Sequence, residues 1–376
     1  MSPKKKGKTL STPLEDELID DLDEAAEVIP FTYSITSYGA DYPVDSLVKR
    51  IEVKDIIVPT FGRSPTNESN IVGFQREYVW PRPKADRFIE SLLLGLPVPG
   101  IFLVKEPSGV FLVLDGHQRL YTLHAFYEGI IQGQEYRLQD VQERFVGQRY
   151  KDLDTEDRRR LDDSIIHATI VRQDEPTEDQ SSIYVVFERL NTGGVNLQPQ
   201  EIRVALYHGE LVRVLRELND NVDWRALCGG KSKRLKDMEL ILRFFAFYYY
   251  ADQYRRPMKD FLNRYMATNR DLQCQNEKEL RELFSNTVSV VREAIGSRAF
   301  RPIRAVNAAV VDSLMAGIAR RISHDREIKN RRQLQEQYEK LMKTKEYIAA
   351  VETGTSQESN VEARQRLAHE AFKDVR

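Results

Sequence analysis

The spacing of apolar residues divides the chain into a mixed α+β half and a helical half. Apolar residues recur at helical spacing over Lys84–Leu94 and are followed by Gly95, a residue type that commonly ends helices. Two short apolar runs, Ile101–Val104 and Val110–Leu114, flank a segment rich in turn formers and predict a β-hairpin. Another apolar run, Ile165–Val171, predicts a further strand.

Beyond about residue 172 the helical period dominates. The run Met238–Ala251 is apolar on nearly every side, which is typical of a buried helix. Thr177 and Gln180 form a capping-box pair ahead of a helix over Ile183–Leu190. Further helices are predicted over Pro199–Tyr207, Glu277–Ile295, Ala305–Ile322, Gln333–Val351 and Val361–Phe372.

Composition and charge predict how the chain divides into domains. A chain of 376 residues with 41% apolar and 9% aromatic residues can bury a core, and its length suggests two domains. The net charge is −2, but residues 1–30 hold four lysines and eight acids, so they contribute −4 and the remainder +2. We therefore predict a disordered charged tail over residues 1–30, an α+β domain over 31–175 and a helical domain over 176–376.

Several classes of protein are excluded on the same grounds. Cys228 and Cys274 are the two cysteines, too few for a disulfide framework or a four-cysteine zinc site. No apolar run approaches 18 residues, and no signal peptide or P-loop motif is present. We expect a cytoplasmic protein without membrane contact.

The most distinctive local feature is Asp115-Gly116, which follows a predicted strand and precedes a predicted helix. Free N–H groups at a helix start attract anions such as phosphate. Arg119 in the first turn opposes the helix dipole, so we expect an anion to compensate it and its side chain to enter a solvent-filled cleft. Asp115 either holds a divalent cation or caps the helix. The alternative interpretation is a plain helix cap with a solvated arginine.

Two further polar clusters lie on either side of this feature along the chain. Gln75 and Arg76 are potential donors to phosphate or to base edges, although the neighbouring Trp80 and Tyr78 are equally consistent with core packing. Between residues 189 and 194, a polar loop with two glycines is able to line a cleft; the alternative is an ordinary helix C-cap. The polar side chains of that loop are Arg189, Asn191 and Thr192.

Basic charge accumulates in the helical half. Residues 223–270 and residues 295–343 each hold 11 Lys and Arg against 5 Asp and Glu, an excess of +6 per block. Such blocks suit a polyanion such as DNA, although solvated helix faces are the usual explanation of such charges. The densest cluster consists of Lys231, Lys233, Arg234 and Lys236.

Taken in order, these clusters closely resemble the N-terminal domain family of GmrSD-type restriction endonucleases. The resemblance rests on the runs Phe74–Trp80, Asp115–Leu120 and Arg189–Gly194, followed by Glu201–Arg203, and covers about residues 35–265. It implies a ParB/sulfiredoxin-like α+β nucleotide-binding domain, followed by a mainly α-helical domain, within bacterial defence against foreign DNA.

The family's Asp-Gly-Gln-Gln-Arg motif is associated with NTP binding and hydrolysis, and it corresponds to Asp115–Arg119 with His117 replacing the first glutamine. The resemblance implies an NTP together with Mg²⁺, and Asp115 as the metal ligand. The implied catalytic residues are Asp115, His117, Gln118 and Arg119. The implied nucleotide-binding residues are Gln75, Arg76, Gly116, Arg189, Asn191 and Thr192.

We therefore predict an NTP-hydrolysing defence protein whose helical half contacts DNA. Many family members continue into an HNH nuclease domain, and we expect a member without one because the sequence contains no such motif. Two alternatives stay open: a nucleotide-gated DNA-binding or specificity subunit that recruits a separate nuclease, and a direct ParB-like nuclease. Assembly into a homo-oligomer is also left open.

Overall fold

The computed structural model describes residues 34–58, 78, 80–175, 181–190, 197–232, 234–325 and 328–376. Predictions that fall outside these described residues concern the tail 1–30, the capping pair Thr177 and Gln180, and the candidate site residues Gln75, Arg76, Asn191, Thr192 and Lys233.

The predicted mixed α+β class is confirmed, and the chain forms two compact units. One, the sheet unit, comprises the described part of Pro30–Asn196 together with Val204–Leu206. The other, the helical unit, contains Leu197–Arg203 and Tyr207–Arg376. The domain limits inferred from composition stay a prediction. Among the described helices, none is both long and apolar enough to cross a bilayer.

A mixed five-stranded sheet forms the centre of the sheet unit, in the order β1-β7-β3-β4-β2. The predicted hairpin is confirmed, because β3 and β4 pair antiparallel. β7 pairs antiparallel with β1 and parallel with β3, while β2 pairs parallel with β4. The strands are β1 Ser34–Pro43, β2 Ile56–Ile57, β3 Ile101–Lys105, β4 Phe111–Asp115 and β7 Ile165–Glu175, with β5 Ile130–Ile131 and β6 Gln134–Glu135 forming a separate pair.

Helices cover this sheet through apolar faces. The second helix ends at Leu93, and Gly95 adopts a left-handed φ of +70°, as its position after the apolar pattern predicted. Leu47, Ile89 and Leu123 come from three different helices and are fully buried in one core. The helices of this unit are α1 Val44–Glu52, α2 Arg82–Leu93, α3 His117–Glu128, α4 Thr155–Asp162 and α5 Ser181–Leu190.

The rest of the described chain is helical, as its periodicity predicted. It comprises α6 Pro199–Leu206, α7 Glu210–Leu218, α8 Val222–Cys228, α9 Lys236–Tyr250, α10 Met258–Thr268, α11 Glu277–Ala294, α12 Ala308–Asp325, α13 Arg331–Leu341, α14 Lys345–Glu352 and α15 Glu358–Phe372.

The prediction of one continuous helix over Gln333–Val351 is wrong, because the chain turns between α13 and α14. Leu341 and Tyr347 are both buried, at 4% and 0% exposure. Their spacing of six residues places them on different faces of a continuous helix. The break after Leu341 resets the helical phase, so that both side chains reach the core.

Candidate functional site at the start of the third helix

The predicted strand, Asp-Gly turn and helix are present in the sheet unit. β4 ends at Asp115, Gly116 adopts a φ of +97°, and α3 begins at His117. A Cβ on residue 116 would lie 2.4 Å from Cγ2 of Ile101, in a backbone conformation that L side chains rarely adopt. Glycine is therefore required for the chain to turn directly from the strand into the helix.

Within the described part of the chain, no side chain caps the start of α3. Gly116 is the N-cap residue and has no side chain, while its carbonyl accepts the first helical hydrogen bond from the Leu120 N–H at 2.9 Å. The N–H groups of the first turn have no partner further back along the helix. They form the positive end of the helix dipole, which is the usual setting for phosphate binding.

Arg119 is held by two acceptors beside this helix start. Its Nη2 donates to Asp115 Oδ2 and to the Gly100 carbonyl, each at 2.8 Å. The Arg119 side chain is 14% exposed, whereas Asp115 is 51% exposed. The expectation that Arg119 enters a solvent-filled cleft is therefore wrong. The anion expected to compensate its charge is Asp115, which lies four residues earlier.

This arrangement leaves capacity for a ligand on both partners. The Arg119 Nε is buried without a hydrogen-bond partner, although an arginine has five donors to place. Asp115 uses Oδ2 for the ion pair, and no contact within the described part of the chain engages Oδ1. An ion pair with an open carboxylate oxygen therefore lies at the positive end of α3, and its arginine retains one unused donor that is buried.

Tyr78 and Trp80 pack against α3 close to its start. The Tyr78 hydroxyl lies 2.9 Å from the Thr122 hydroxyl, and its ring centroid is 4.7 Å from that of Tyr121. Burial raises the pKa of Tyr78 above its ordinary value. The Trp80 N–H donates to Gln118 Oε1 at 3.3 Å, which fixes one predicted catalytic side chain. The core-packing interpretation therefore holds for Tyr78 and Trp80.

Residues 60–208 match the model of the GmrSD restriction endonuclease, N-terminal domain. This segment is a GmrSD-type N-terminal domain. The match includes the Asp115–Arg119 turn and indicates a restriction-type defence role. Neither a curated protein nor a solved structure matches the chain.

The last turn of α5, within the GmrSD-type domain, carries Arg189. Its side chain is exposed and makes no hydrogen bond or ion pair within the described ranges. The other predicted residues of this loop, Asn191 and Thr192, lie outside the described residues. Arg189 is thus accessible to a ligand, while its participation in nucleotide binding stays a prediction.

The predicted DNA-binding cluster lies beyond the GmrSD-type segment, in the helical unit, and is partly neutralised there. Lys231 forms an ion pair with Asp220, and its side chain is 49% exposed. Arg234 Nη2 lies 2.9 Å from Glu201 Oε2, with the two side chains 24% and 10% exposed. Lys236 is the first residue of α9. Lys231 is therefore held by an exposed ion pair and Arg234 by a part-buried one, so Lys231 can exchange its partner for a phosphate more readily.

Arg203, from the Glu201–Arg203 run, forms a structural ion pair with Glu239 of α9. Arg203 Nη1 lies 2.9 Å from Glu239 Oε2, and the two side chains are 0% and 2% exposed. Arg203 also donates to Asn263 Oδ1 at 2.9 Å and to Gln200 Oε1 at 3.3 Å. The sequence signal was available, since charged residues interrupt the otherwise apolar α9. Only their burial reveals that they hold helices together.

A cavity of about 950 Å³ lies elsewhere, within the helical unit. Its lining includes Tyr248, Tyr249, Arg320 and His369. None of the candidate nucleotide-site residues, and no described residue of the Lys231–Lys236 cluster, lines it. The phosphate-site hypothesis therefore does not draw on this cavity.

Proposed function

We propose that the GmrSD-type domain binds the phosphates of an NTP at the start of α3 and hydrolyses the nucleotide as part of restriction-type defence. The observation that carries this proposal is the uncapped helix start at Gly116, flanked by Asp115 and Arg119. Main-chain donors, the positive end of the helix dipole and an arginine all lie within the first turn of α3. Phosphoryl transfer depends mainly on such preorganised positive groups.

Each residue of the turn has a role in this proposal. The first-turn N–H groups of His117 and Gln118 would bind phosphate oxygens, and the unused Arg119 Nε would add a charged donor. The open oxygen of Asp115 suits Mg²⁺, which binds proteins through one or two carboxylates and shares its other positions with phosphates and water. When bound, Mg²⁺ neutralises phosphate charge. Gln75, Arg76, Arg189, Asn191 and Thr192 are proposed as further nucleotide contacts.

Calorimetric titration of the full chain with ATP and GTP, with and without Mg²⁺, tests this proposal. Arg119→Ala should weaken binding about 10–100-fold, because a charged hydrogen bond contributes about 1.5–3 kcal/mol. Arg160→Ala is a matched control in the same unit. Arg160 contacts Glu156 four residues earlier and the Leu93 carbonyl, as Arg119 contacts Asp115 and Gly100.

We expect Arg160→Ala to bind nucleotide like the parent protein. Absence of binding by the parent protein to either nucleotide would refute the proposed site. Equal affinity of the parent and Arg119→Ala proteins would remove Arg119 from it.

A second candidate function is nucleotide binding without turnover, in a specificity subunit that recruits a separate nuclease. The observation in its favour is that Arg119 already engages Asp115 Oδ2 at 2.8 Å, so this oxygen is not free to accept a proton from an attacking water. Phosphate release measured over many turnovers separates the two candidates. Steady release that is lost in Asp115→Asn supports hydrolysis, and tight binding without release supports the subunit.

DNA is the proposed target in either case. The family match implies a DNA-directed role, and the basic blocks of the helical unit are the proposed contact surface. Lys231 is the most accessible described cation of the cluster. Both side chains of its ion pair with Asp220 are exposed. We place the DNA contact there together with Lys233, Arg234 and Lys236.

A further inference from the structure

A second cluster of polar groups lies at the opposite end of α3, away from the Asp-Gly turn. It consists of Glu52, the last residue of α1, together with His124 and Glu128 on α3. One ligand atom from each side chain lies within 4.8 Å of the other two. Glu128 and the first residue of α3 are 11 residues apart, which is about 16 Å along a helix.

The packing of α1 on α3 creates this convergence. Leu47 and Ile51 of α1 and Leu120 and Leu123 of α3 are buried in the same core. His124 and Glu128 are four residues apart, so they lie on one face of α3. The core contacts therefore fix the two backbones that present the three groups, while His124 stays half-buried and both glutamates are exposed.

The three side chains are not satisfied by the protein. Within the described part of the chain, none of them makes a hydrogen bond or an ion pair. The two cations in the last turn of α1 have other partners: Lys49 pairs with Asp45 at 2.8 Å, and Arg50 pairs with Asp55 at 3.6 Å. Two carboxylates thus converge on an imidazole without a neutralising contact.

The dipoles of α1 and α3 also favour a positive charge at this place. Glu52 and Glu128 are each the last residue of a helix, where the dipole is negative. The last turn of α3 contains no basic residue, and Gly129 ends the helix in the left-handed conformation. A carboxylate at such a position is unfavourable by itself. Two carboxylates at two converging helix ends are stabilised by a bound cation.

We propose that Glu52, His124 and Glu128 bind a divalent transition metal of the zinc type, which fastens α1 to the end of α3. Imidazole nitrogens and carboxylate oxygens are both ligands of Zn²⁺, while Mg²⁺ prefers oxygen ligands alone. Ligands of one zinc ion bind at about 2.0–2.2 Å, so small side-chain rotations bring all three atoms onto one ion. This inference does not depend on nucleotide binding.

Calorimetric titration of the metal-stripped full chain with ZnCl₂ tests the proposal. We expect the parent protein to bind one Zn²⁺ and MgCl₂ to give no comparable binding. His124→Gln and Glu128→Gln should each weaken Zn²⁺ binding about 100-fold or more, since loss of an outer-shell partner alone costs about 10–100-fold. Zn²⁺ should also raise the Tm of the parent protein, because it binds only the folded chain.

His167→Gln is the matched control. His167 is an exposed histidine in the same unit, and its Nδ1 lies 2.9 Å from Asp41 Oδ1, so it offers an imidazole beside a single carboxylate. It should bind Zn²⁺ like the parent protein. Circular dichroism of each metal-free variant checks that it folds. Absence of stoichiometric Zn²⁺ binding by the parent protein, or equal affinity of His124→Gln, would overturn the proposal.

Discussion

Two arginine–carboxylate pairs, one in each unit, have nearly the same geometry and opposite surroundings. The pair Arg119–Asp115 measures 2.8 Å, and its side chains are 14% and 51% exposed. The pair Arg203–Glu239 measures 2.9 Å, and its side chains are 0% and 2% exposed. Asp115, Arg119 and Arg203 all belong to motifs that resemble one family. The distance alone does not assign a role, whereas the surroundings do.

The two pairs differ in role because an exposed carboxylate can take up a new partner from solution, whereas a buried one cannot. Asp115 retains an oxygen that can bind water, a cation or a phosphate-bound metal. Ligand binding at that oxygen therefore leaves neither Asp115 nor Arg119 as a buried charge without a partner. Removing Glu239 leaves the Arg203 guanidinium buried without its carboxylate, which is far more costly than losing an exposed pair. The sheet-unit pair is therefore suited to binding, and the helical-unit pair is suited to holding α6 and α9 together.

The substitution expected to have the largest effect on this comparison is Glu239→Ala, which removes the carboxylate of the buried pair. We expect it to lower the free energy of unfolding by about 3–5 kcal/mol, because it leaves a buried arginine uncompensated. Urea unfolding followed by circular dichroism measures the change. Glu156→Ala, which removes an exposed partner of Arg160, should cost at most about 1 kcal/mol. A loss for Glu239→Ala no larger than that of the control would show that burial does not distinguish the two pairs.

A smaller effect is expected at the turn that positions the Arg119–Asp115 pair. Gly116→Ala should lower the free energy of unfolding by about 2 kcal/mol and weaken nucleotide binding, because a strained backbone and a close contact with Ile101 coincide there. Gly109→Ala is the control: its φ is +89°, yet nothing lies within 4 Å of the added Cβ. It should show the backbone strain without the clash, and nucleotide affinity should be unchanged. Equal unfolding free energies for the two variants would contradict the close approach.

The smallest expected effect is on the salt dependence of DNA binding. It compares the exposed ion pair of Lys231 with the part-buried ion pair of Arg234 in the basic cluster. Lys231→Gln should make the slope of log K for DNA against log salt shallower by about 0.9, since one phosphate contact is lost. Arg234→Gln should change that slope less, because Glu201 holds its part-buried guanidinium. Fluorescence anisotropy with a labelled duplex at several salt concentrations measures both slopes. A larger change for Arg234→Gln than for Lys231→Gln would reverse the assignment.

Much of the architecture could be predicted from local pattern. The hairpin of β3 and β4, the end of α2 before Gly95 and the turn at Gly116 all depend on residues within a few positions of one another. Apolar periodicity and the backbone preferences of glycine act at that range. The same argument predicted Asp115 and Arg119 as candidate site residues, because a helix start and its first turn are local features.

Contacts between distant segments could not be predicted in this way. The Gly100 carbonyl that holds Arg119 is 19 residues away along the chain, and the Glu239 partner of Arg203 is 36 residues away. Glu52 meets His124 only because α1 packs on α3. Periodicity records which face of an element is apolar, and it does not record which element that face meets.

The sequence by itself therefore determined the order and kind of most elements and the chemical groups at the Asp-Gly turn. Tertiary packing alone decided that Arg119 is shielded, that Arg203 is structural, and that the helix predicted over Gln333–Val351 breaks after Leu341. The physical reason is that an ion pair's role depends on how much water surrounds it. That quantity is fixed by the packing of segments far apart in the chain.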